Sequence, residues 1–585
     1  MLVLTVYLLG LVLVTWLLRK QTVQFRSFLT VGYNYLFIIP LYFFTLLPEC
    51  STTAEVLNLL IRCAYQAPKA MTFWADVDLF NDPAITLLFY IVSIYTTRTV
   101  LIIVFQKAFT AAATRLRMLF RREIFAVCGE AEDAKTLIHE IRVQNPGAAI
   151  LYIPQTEADR EAELHVLTEN RPWQKFLRPG RRYHVILLPD GRNNNLQRLD
   201  DLEKLGETVP DLRVTAFLDN DMLRYEDLCY PHLDAYLVSR EQLLIRSFLI
   251  DNLPLRALKE RGEGSMVQGV YRPDRPFSLC VLGYGALSRE FLLATWENAA
   301  FQTASAGDRG LDALILDRDV TRRRAPFFLD TPQLERETAF TWMDAAPDSR
   351  ECFEAIEARL DALHQILIAT DDTRLNLDIA MRLLRLFKRQ GMEKTHPQLV
   401  VALFEKVDGG VGFLSKEAGG VFLQSNSTQF TYGELIRRDT DRKAEELHRQ
   451  YSRTSLYDVA WNQIGTFRQS SNRAVVWDIP NKLLLAGDLT GKSPSEREAV
   501  YWRLAQYEHL RWNVFQYTHG WVQLPREELT EEEIRANATK RAVQKCHVCL
   551  VPWEELDALP QARPGLLKYY DYENVLQLFE PELKP

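Results

Sequence analysis

Apolar and polar positions follow three successive patterns along this chain, and each predicts a different kind of element. Runs 1–18, 27–48 and 84–105 are long, apolar and almost uncharged. From residue 123 short apolar runs alternate with polar stretches of helical spacing. "EIFAVCG", "AAILYIP", "YHVILLPD" and "RVTAFLDN" read as buried strands, and "EDAKTLIHEI" reads as the first helix between them. This alternation predicts a doubly wound parallel sheet. A second set follows: "FSLCVLG", "LDALILD", "HQILIAT" and "PQLVVALFEK". Beyond about 427 helical spacing takes over, beginning with the mixed-charge stretch "TYGELIRRDTDRKAEELHRQYSR". The predicted organisation is a transmembrane region at 1–106, a basic linker helix at 107–122 and α/β units at 123–265 and 276–425. A helical connector at 427–497 and a small helical module at 498–585 complete it. The fold class is membrane-anchored α/β with three transmembrane helices, two tandem Rossmann-like sheets and a mainly helical tail.

A bilayer span needs about 20 apolar residues, so each of the three runs qualifies. Arg19, Lys20 and Arg26 follow the first run, and Lys107, Arg115, Arg117, Arg121 and Arg122 follow the third. The connection between the second and third is acidic. Positive charge favours the cytoplasmic side. The expected placement is the inner (plasma) membrane with the N-terminus outside and the later domains cytoplasmic. Arg98 falls inside the third run, where a charge faces a partner, a bundle interior or the headgroups. Residues 30–34, "TVGYN", resemble the potassium-channel filter TVGYG. A filter there would leave about 20 Å of helix after it, short of a roughly 30 Å core. It would also enter from the wrong side. The reading here is therefore a helix start, with Tyr33 and Tyr35 at the interface.

The chain has 585 residues and a net charge of −7, so a general affinity for nucleic acid is not expected. Cys50 and Cys63 fall in the predicted external connection, where an oxidising side would allow them to pair. The first α/β unit has a single glycine after its first strand, Gly129, followed by Glu130, Glu132 and Asp133. Acid at that place repels phosphate, so this unit reads as a degenerate scaffold. The second unit carries Gly283, Gly285 and Ser288 in a GxGxxS turn between a strand and a helix. Such glycines permit a tight turn and close approach of phosphate to the helix N-terminus. Asp317 ends the next strand, where a ribose-binding acid would stand, although its distance along the chain exceeds the usual ~20 residues. Asp371 follows the strand after that. The cofactor expected here is a nucleotide or NAD(H). "VLGYGALSREFL", Asp317 and "ATDDTRLNLDIA" resemble the TrkA-N family of Rossmann-type regulatory domains. That resemblance implies ligand binding, dimerisation and movement passed to membrane helices.

In the tail, "LAQYEHLRWNVFQYTHGWVQ", "KCHVCLVPWEELDALP" and "YYDYENV" resemble the RyR domain, named after ryanodine receptors. The resemblance implies a non-catalytic ligand sensor. Trp512, Trp521 and Trp553 offer stacking faces, and Arg511, Lys545 and His547 offer contacts to phosphate. Cys546, His547 and Cys549 lack the second ligand pair that zinc requires, so no metal is expected. GxSxG, Walker A and HExxH motifs are absent from the sequence. The resulting expectation is a sensor-effector: a nucleotide-type small molecule binds the RyR and Rossmann domains and controls an oligomeric membrane region, with conductance or bilayer disruption as output. Partners are the lipid bilayer and further copies of the chain. Antiviral defence fits by analogy with bacterial nucleotide sensors. A regulator of a potassium channel or transporter responding to NAD(H) or ATP is the alternative, and a membrane-tethered NAD-dependent oxidoreductase the third reading.

Overall fold

The computed structural model describes residues 51–70, 86–101 save 88 and 99, 123–156, 177–190, 194–404 save 308, 393 and 394, 420–424, 430–454, 459–535, 540–561 and 563–579, with scattered positions besides. The chain divides into two units, 1–121 with 165–168, and 122–164 with 169–585.

The first unit contains the helix Thr53–Ala70, started by the Glu55 carboxylate, which accepts the Ser51 and Thr52 N–H groups at 2.7 and 3.0 Å. Among the described residues no helix is long and apolar enough to cross a membrane. The three expected transmembrane helices, and with them the inner-membrane placement, are therefore corrected. A span needs some 20 apolar residues in one continuous helix. The helix Thr53–Ala70 falls instead in the predicted connection and carries Glu55, Arg62 and Lys69. Run 1–18 lies outside the described residues, as do most of 27–48 and of the predicted basic helix 107–122. Arg98 is exposed on a helical segment. Cys63 is buried, and Cys50 lies outside the described residues.

The second unit holds two Rossmann-like parallel sheets in tandem. In the first, β1 (Glu123–Gly129), β2 (Ala149–Pro154), β3 (Arg182–Leu187), β4 (Leu212–Phe217) and β5 (Asp234–Val238) lie in the order β2-β1-β3-β4-β5. Helices α1 (Ala131–Gln144), α2 (Asn195–Gly206) and α3 (Asn220–Tyr225) alternate with the strands, and α4 (Arg240–Asp251) and α5 (Pro254–Glu260) follow. An antiparallel hairpin, β6 (Gly264–Val267) and β7 (Val270–Pro273), leads into the second sheet. There β8 (Phe277–Leu282), β9 (Leu311–Asp317), β10 (Ala339–Asp344), β11 (Gln365–Ile368), β12 (Gln398–Leu403) and β13 (Val421–Gln424) run β10-β9-β8-β11-β12-β13. This is the doubly wound order, in which the direction of strand addition reverses beside β8. Every residue of β8 is buried, because helices cover both faces of a parallel sheet.

The two sheets repeat at the level of single side chains. Asn195 Nδ2 donates to the Leu188 and Phe217 carbonyls at 2.8 and 2.9 Å, tying the ends of β3 and β4. Asn376 Nδ2 does the same between Thr370 and Ala402, at 3.1 and 3.0 Å, at the ends of β11 and β12. His184 stacks on Phe125 at 4.8 Å, and His364 on Phe277 at 5.1 Å.

Helices α6 (Ala286–Asn298) and α7 (Val320–Asp330) follow β8 and β9, and α8 (Arg350–Glu357) and α9 (Thr373–Arg389) follow β10 and β11. Cys352, Ile356, Ile379 and Leu383 cover one face of the second sheet. The other face belongs to a core that also takes Phe248 from α4, Phe291 from α6 and Leu504 from the tail. The tail consists of α10 (Asp439–Thr454), α11 (Thr466–Trp477), α12 (Ile479–Ala486), α13 (Pro494–Thr518) and α14 (Leu566–Phe579). Short strands β14 (Val522–Gln523), β15 (Lys540–Arg541) and β16 (Cys546–His547) pair in the order β14-β16-β15. Ser493 and Glu496 form a reciprocal capping box at the start of α13, with Pro494 in the first turn.

Candidate functional site

Strand β8 ends in a turn that only glycine can make. Gly283 has φ +83°, and a Cβ there would stand 2.7 Å from the Ala369 carbonyl oxygen. Gly285 caps α6 in an extended conformation, and the atom nearest to its missing Cβ is Asp371 Oδ1 at 3.7 Å. The space that a Gly285 side chain would take is thus approached by one exposed carboxylate, Asp371. Ser288, at the third glycine position, is fully buried and donates its hydroxyl to the Gly283 carbonyl at 2.6 Å. It braces the turn rather than facing a ligand.

Asp317 ends β9 beside this turn. Its Oδ2 accepts the Tyr284 N–H at 2.9 Å, and its Oδ1 accepts the Arg318 N–H at 2.7 Å. The side chain of Asp317 keeps a fifth of its surface exposed. Arg323 reaches back from α7, donates to the Tyr284 carbonyl and lies 3.8 Å from Asp317. Tyr284 turns its ring into the core, edge-on to Trp342 at 5.2 Å. On the far side of the turn, Asp372 caps α9 by accepting the Arg374 and Leu375 N–H groups. Gly283, Gly285, Asp317 and Asp371 therefore meet at the carboxyl ends of β8, β9 and β11, where the strand order reverses. Ribose-type hydroxyls fit Asp317, and a phosphate fits the α6 N-terminus apart from the opposing charge of Asp371. Arg323 was not singled out in the sequence; its signal was the run "TRRR" opening the helix after Asp317.

The matching turn of the first sheet is as tight as that of the second: a Cβ on Gly129 would come within 2.6 Å of Leu188 Cβ, as one on Gly283 would come to 2.7 Å from Ala369. The N-terminus of α1 is already occupied, because the Ala131 N–H donates to Asp159 Oδ1 at 2.9 Å. Asp133 is paired with Arg240.

The tail residues expected to hold a ligand are spent on one another. Arg511 is 3% exposed and makes a two-pronged bond to Glu508, at 2.9 and 2.7 Å. Lys482 bridges Glu508 and Asp478 at 2.7 and 2.6 Å. Burial alone would raise the Glu508 carboxyl, but Arg511 and Lys482 outweigh it and hold it at about 2. Trp521 is 6% exposed and stacks on Phe467 at 5.3 Å. Trp512 meets His547 edge-on at 4.9 Å, and Trp553 lies beside His509. Burial pushes His547 down to about 3, and its Nδ1 accepts the Cys549 N–H. Lys545 donates to the backbone carbonyls of Tyr225 and His519. The structure brings Trp512, Trp521 and His547 together as packing, and Arg511 and Lys545 as internal ties. None of these cations is a free phosphate clamp. Among the described residues no group of three or more His, Cys, Asp or Glu side chains is placed to hold a metal ion.

No family model matches the chain, and no curated protein does. Among solved structures, a dipicolinate synthase component from Bacillus halodurans is similar at 10% identity and a TM-score of 0.21, covering 55% of this chain and 97% of that one. The Rossmann-like description of this chain rests on its own strand order and glycine turn.

Proposed function

We propose that this chain is a non-catalytic sensor whose second sheet takes a nucleotide-type ligand, such as NAD(H) or ATP, at the turn Gly283–Gly285. The observation that supports it most is the contrast between the two sheets. The first spends the N-terminus of its helix on Asp159, which accepts the Ala131 N–H, whereas at the second a Cβ on Gly285 would meet nothing nearer than Asp371 Oδ1 at 3.7 Å. The ligand's ribose would meet Asp317, and its phosphate the first turn of α6. A TrkA-N-like reading fits this arrangement. An RyR-like tail then serves as the body against which ligand-driven movement is transmitted, since α13 shares a core with α6. A ligand shifts such an assembly only by binding one arrangement better than another.

The test is calorimetric titration of the full chain with NADH, NAD+ and ATP, beside the variant Gly285→Val. Binding by the wild type that is lost in the variant supports the reading. Equal binding by both, or none by the wild type, rejects it.

A further inference from the structure

Where α3, α4, α6, α11 and α13 converge, all within the second unit, they line a partly open cavity of about 60 Å³. Arg224, Gln242, Arg246, Glu290, Trp477 and His519 are among the residues lining it. It lies apart from the glycine turn, whose residues do not line it. One water-sized group needs roughly 10–15 Å³, so the space holds about five.

The charges around this cavity are unevenly matched. Arg224 is 5% exposed and is held by two carboxylates, Glu290 at 2.6 Å and Glu297 at 2.8 Å. Thr518 donates a further bond to Glu297. Arg246 has no carboxylate of its own. Among the described residues its guanidinium makes no hydrogen bond or ion pair, and it lies flat over the Trp477 ring with 3.5 Å to the centroid. Stacking uses the face of the guanidinium and leaves its in-plane N–H donors unspent. Burial is the largest influence on Arg246 and works against its charge. Arg246 is half-buried beside the cavity, so its unspent donors are available to an anionic group entering there.

His519 adds a complementary group. Its Nδ1 lies 2.7 Å from the Phe515 carbonyl, which can only accept, so Nδ1 carries the proton and Nε2 is left as an acceptor. Burial and the nearby Arg224 hold this imidazole well below its usual range, so it stays neutral. A fitting occupant offers an anionic oxygen to Arg246 and a hydroxyl to an acceptor. Glu290 and Glu297 disfavour a second negative charge.

We propose that this cavity is a second binding site, for a small, singly charged oxyanion that carries a hydroxyl, with Arg246 as its anchor. Monoanionic phosphate and a short hydroxy acid share that chemistry. Because helices of both sheets and of the tail form the walls, occupancy would tighten the junction between them.

The experiment measures thermal stability and calorimetric binding of the full chain at pH 6, at fixed ionic strength. The probes are inorganic phosphate, lactate and acetate, with chloride as the control. The expected result is a rise in Tm with phosphate or lactate that exceeds acetate and chloride, and a Kd weakened by about tenfold to a hundredfold in Arg246→Met. Arg246→Lys should recover part of the affinity. Ser470→Met fills the cavity without touching Arg246 and should abolish binding; it also decides the matter if Arg246→Met folds poorly. The better of phosphate and lactate identifies the source of the anion. No response beyond chloride in the wild type, or equal binding by wild type and Arg246→Met, overturns the proposal. Gly285→Val should leave this response intact, so failure here is distinguishable from failure at the glycine turn.

Discussion

The backbone N–H of Tyr284 donates to the Asp317 carboxylate at 2.9 Å, so the acid closing β9 holds the turn that closes β8. Asp317 thus has a structural task besides any contact with ribose. Asparagine retains an acceptor for the Tyr284 N–H but loses the charge. Asp317→Asn should keep stability within about 1 kcal/mol of wild type while weakening NADH binding by roughly tenfold. Asp317→Ala should lose both. Denaturant melts read beside calorimetry separate the two effects.

Asp371 should act in the opposite sense. Its carboxylate is the nearest group to the open side of Gly285 and stands before the N-terminus of α6. A phosphate arriving there meets a like charge. Asp371→Asn should therefore tighten binding of phosphate-bearing nucleotides by a fewfold and flatten the salt dependence of their affinity. Titrations at two salt concentrations check this, and weaker binding by the variant would contradict it.

The two glycines of the turn should respond unequally to alanine. Gly283→Ala puts a side chain at φ +83° and drives Cβ to 2.7 Å from the Ala369 carbonyl oxygen, so a loss of about 2 kcal/mol or more is expected. Gly285→Ala adds a methyl with 3.7 Å of clearance and no positive φ, so stability should change by less than about 1 kcal/mol. Urea midpoints at unchanged slope report the difference.

The tail network predicts a stability effect where the sequence suggested a binding one. Glu508→Gln leaves Lys482 and Arg511 buried with one carboxylate, Asp478, between them. Breaking a buried pair in this way costs about 3–5 kcal/mol. The expected outcome is a large fall in denaturant midpoint, with NADH affinity of the folded fraction unchanged. An unaffected midpoint would show that the network is not shielded from water.

Those cases show what the residues reveal before the fold is known. Strand β8 was legible because a parallel strand covered on both faces is a continuous apolar run, and Gly283 because a turn with positive φ admits little else. Arg511 was misread as a free cation. Glu508, three residues earlier on the same helical face, was the visible sign of its partner. Trp521 looked like a stacking platform because its true stack, Phe467, lies far back in the sequence on α11. The apolar runs near the start suggested spans, yet among the described residues no helix is long and apolar enough to cross a membrane. Arg246 and Trp477 were invisible as a pair, since only packing of α4 against α11 brings them together.

His364 gives the fold a dependence on pH with a definite sign. It is 3% exposed; its Nδ1 accepts the Ser278 N–H at 2.8 Å, which places the proton of the neutral ring on Nε2, and Nε2 faces Glu263 at 2.8 Å. Burial lowers His364 to about 4, against an opposing pull from Glu263. In the unfolded chain a histidine titrates near 6.5. As pH falls below that value the unfolded chain takes up the proton first, so stability is lost down to about pH 4, at roughly 1.4 kcal/mol per pH unit. Glu263 extends the loss. Its bond to Arg275, helped by His364, holds it at about 2 against its burial, and the stability this provides disappears as pH falls from the usual carboxylate range toward 2. His364→Gln should flatten the curve of stability against pH by one proton between pH 6 and 4.5. Denaturant midpoints measured across that interval would refute the assignment if the two slopes coincide.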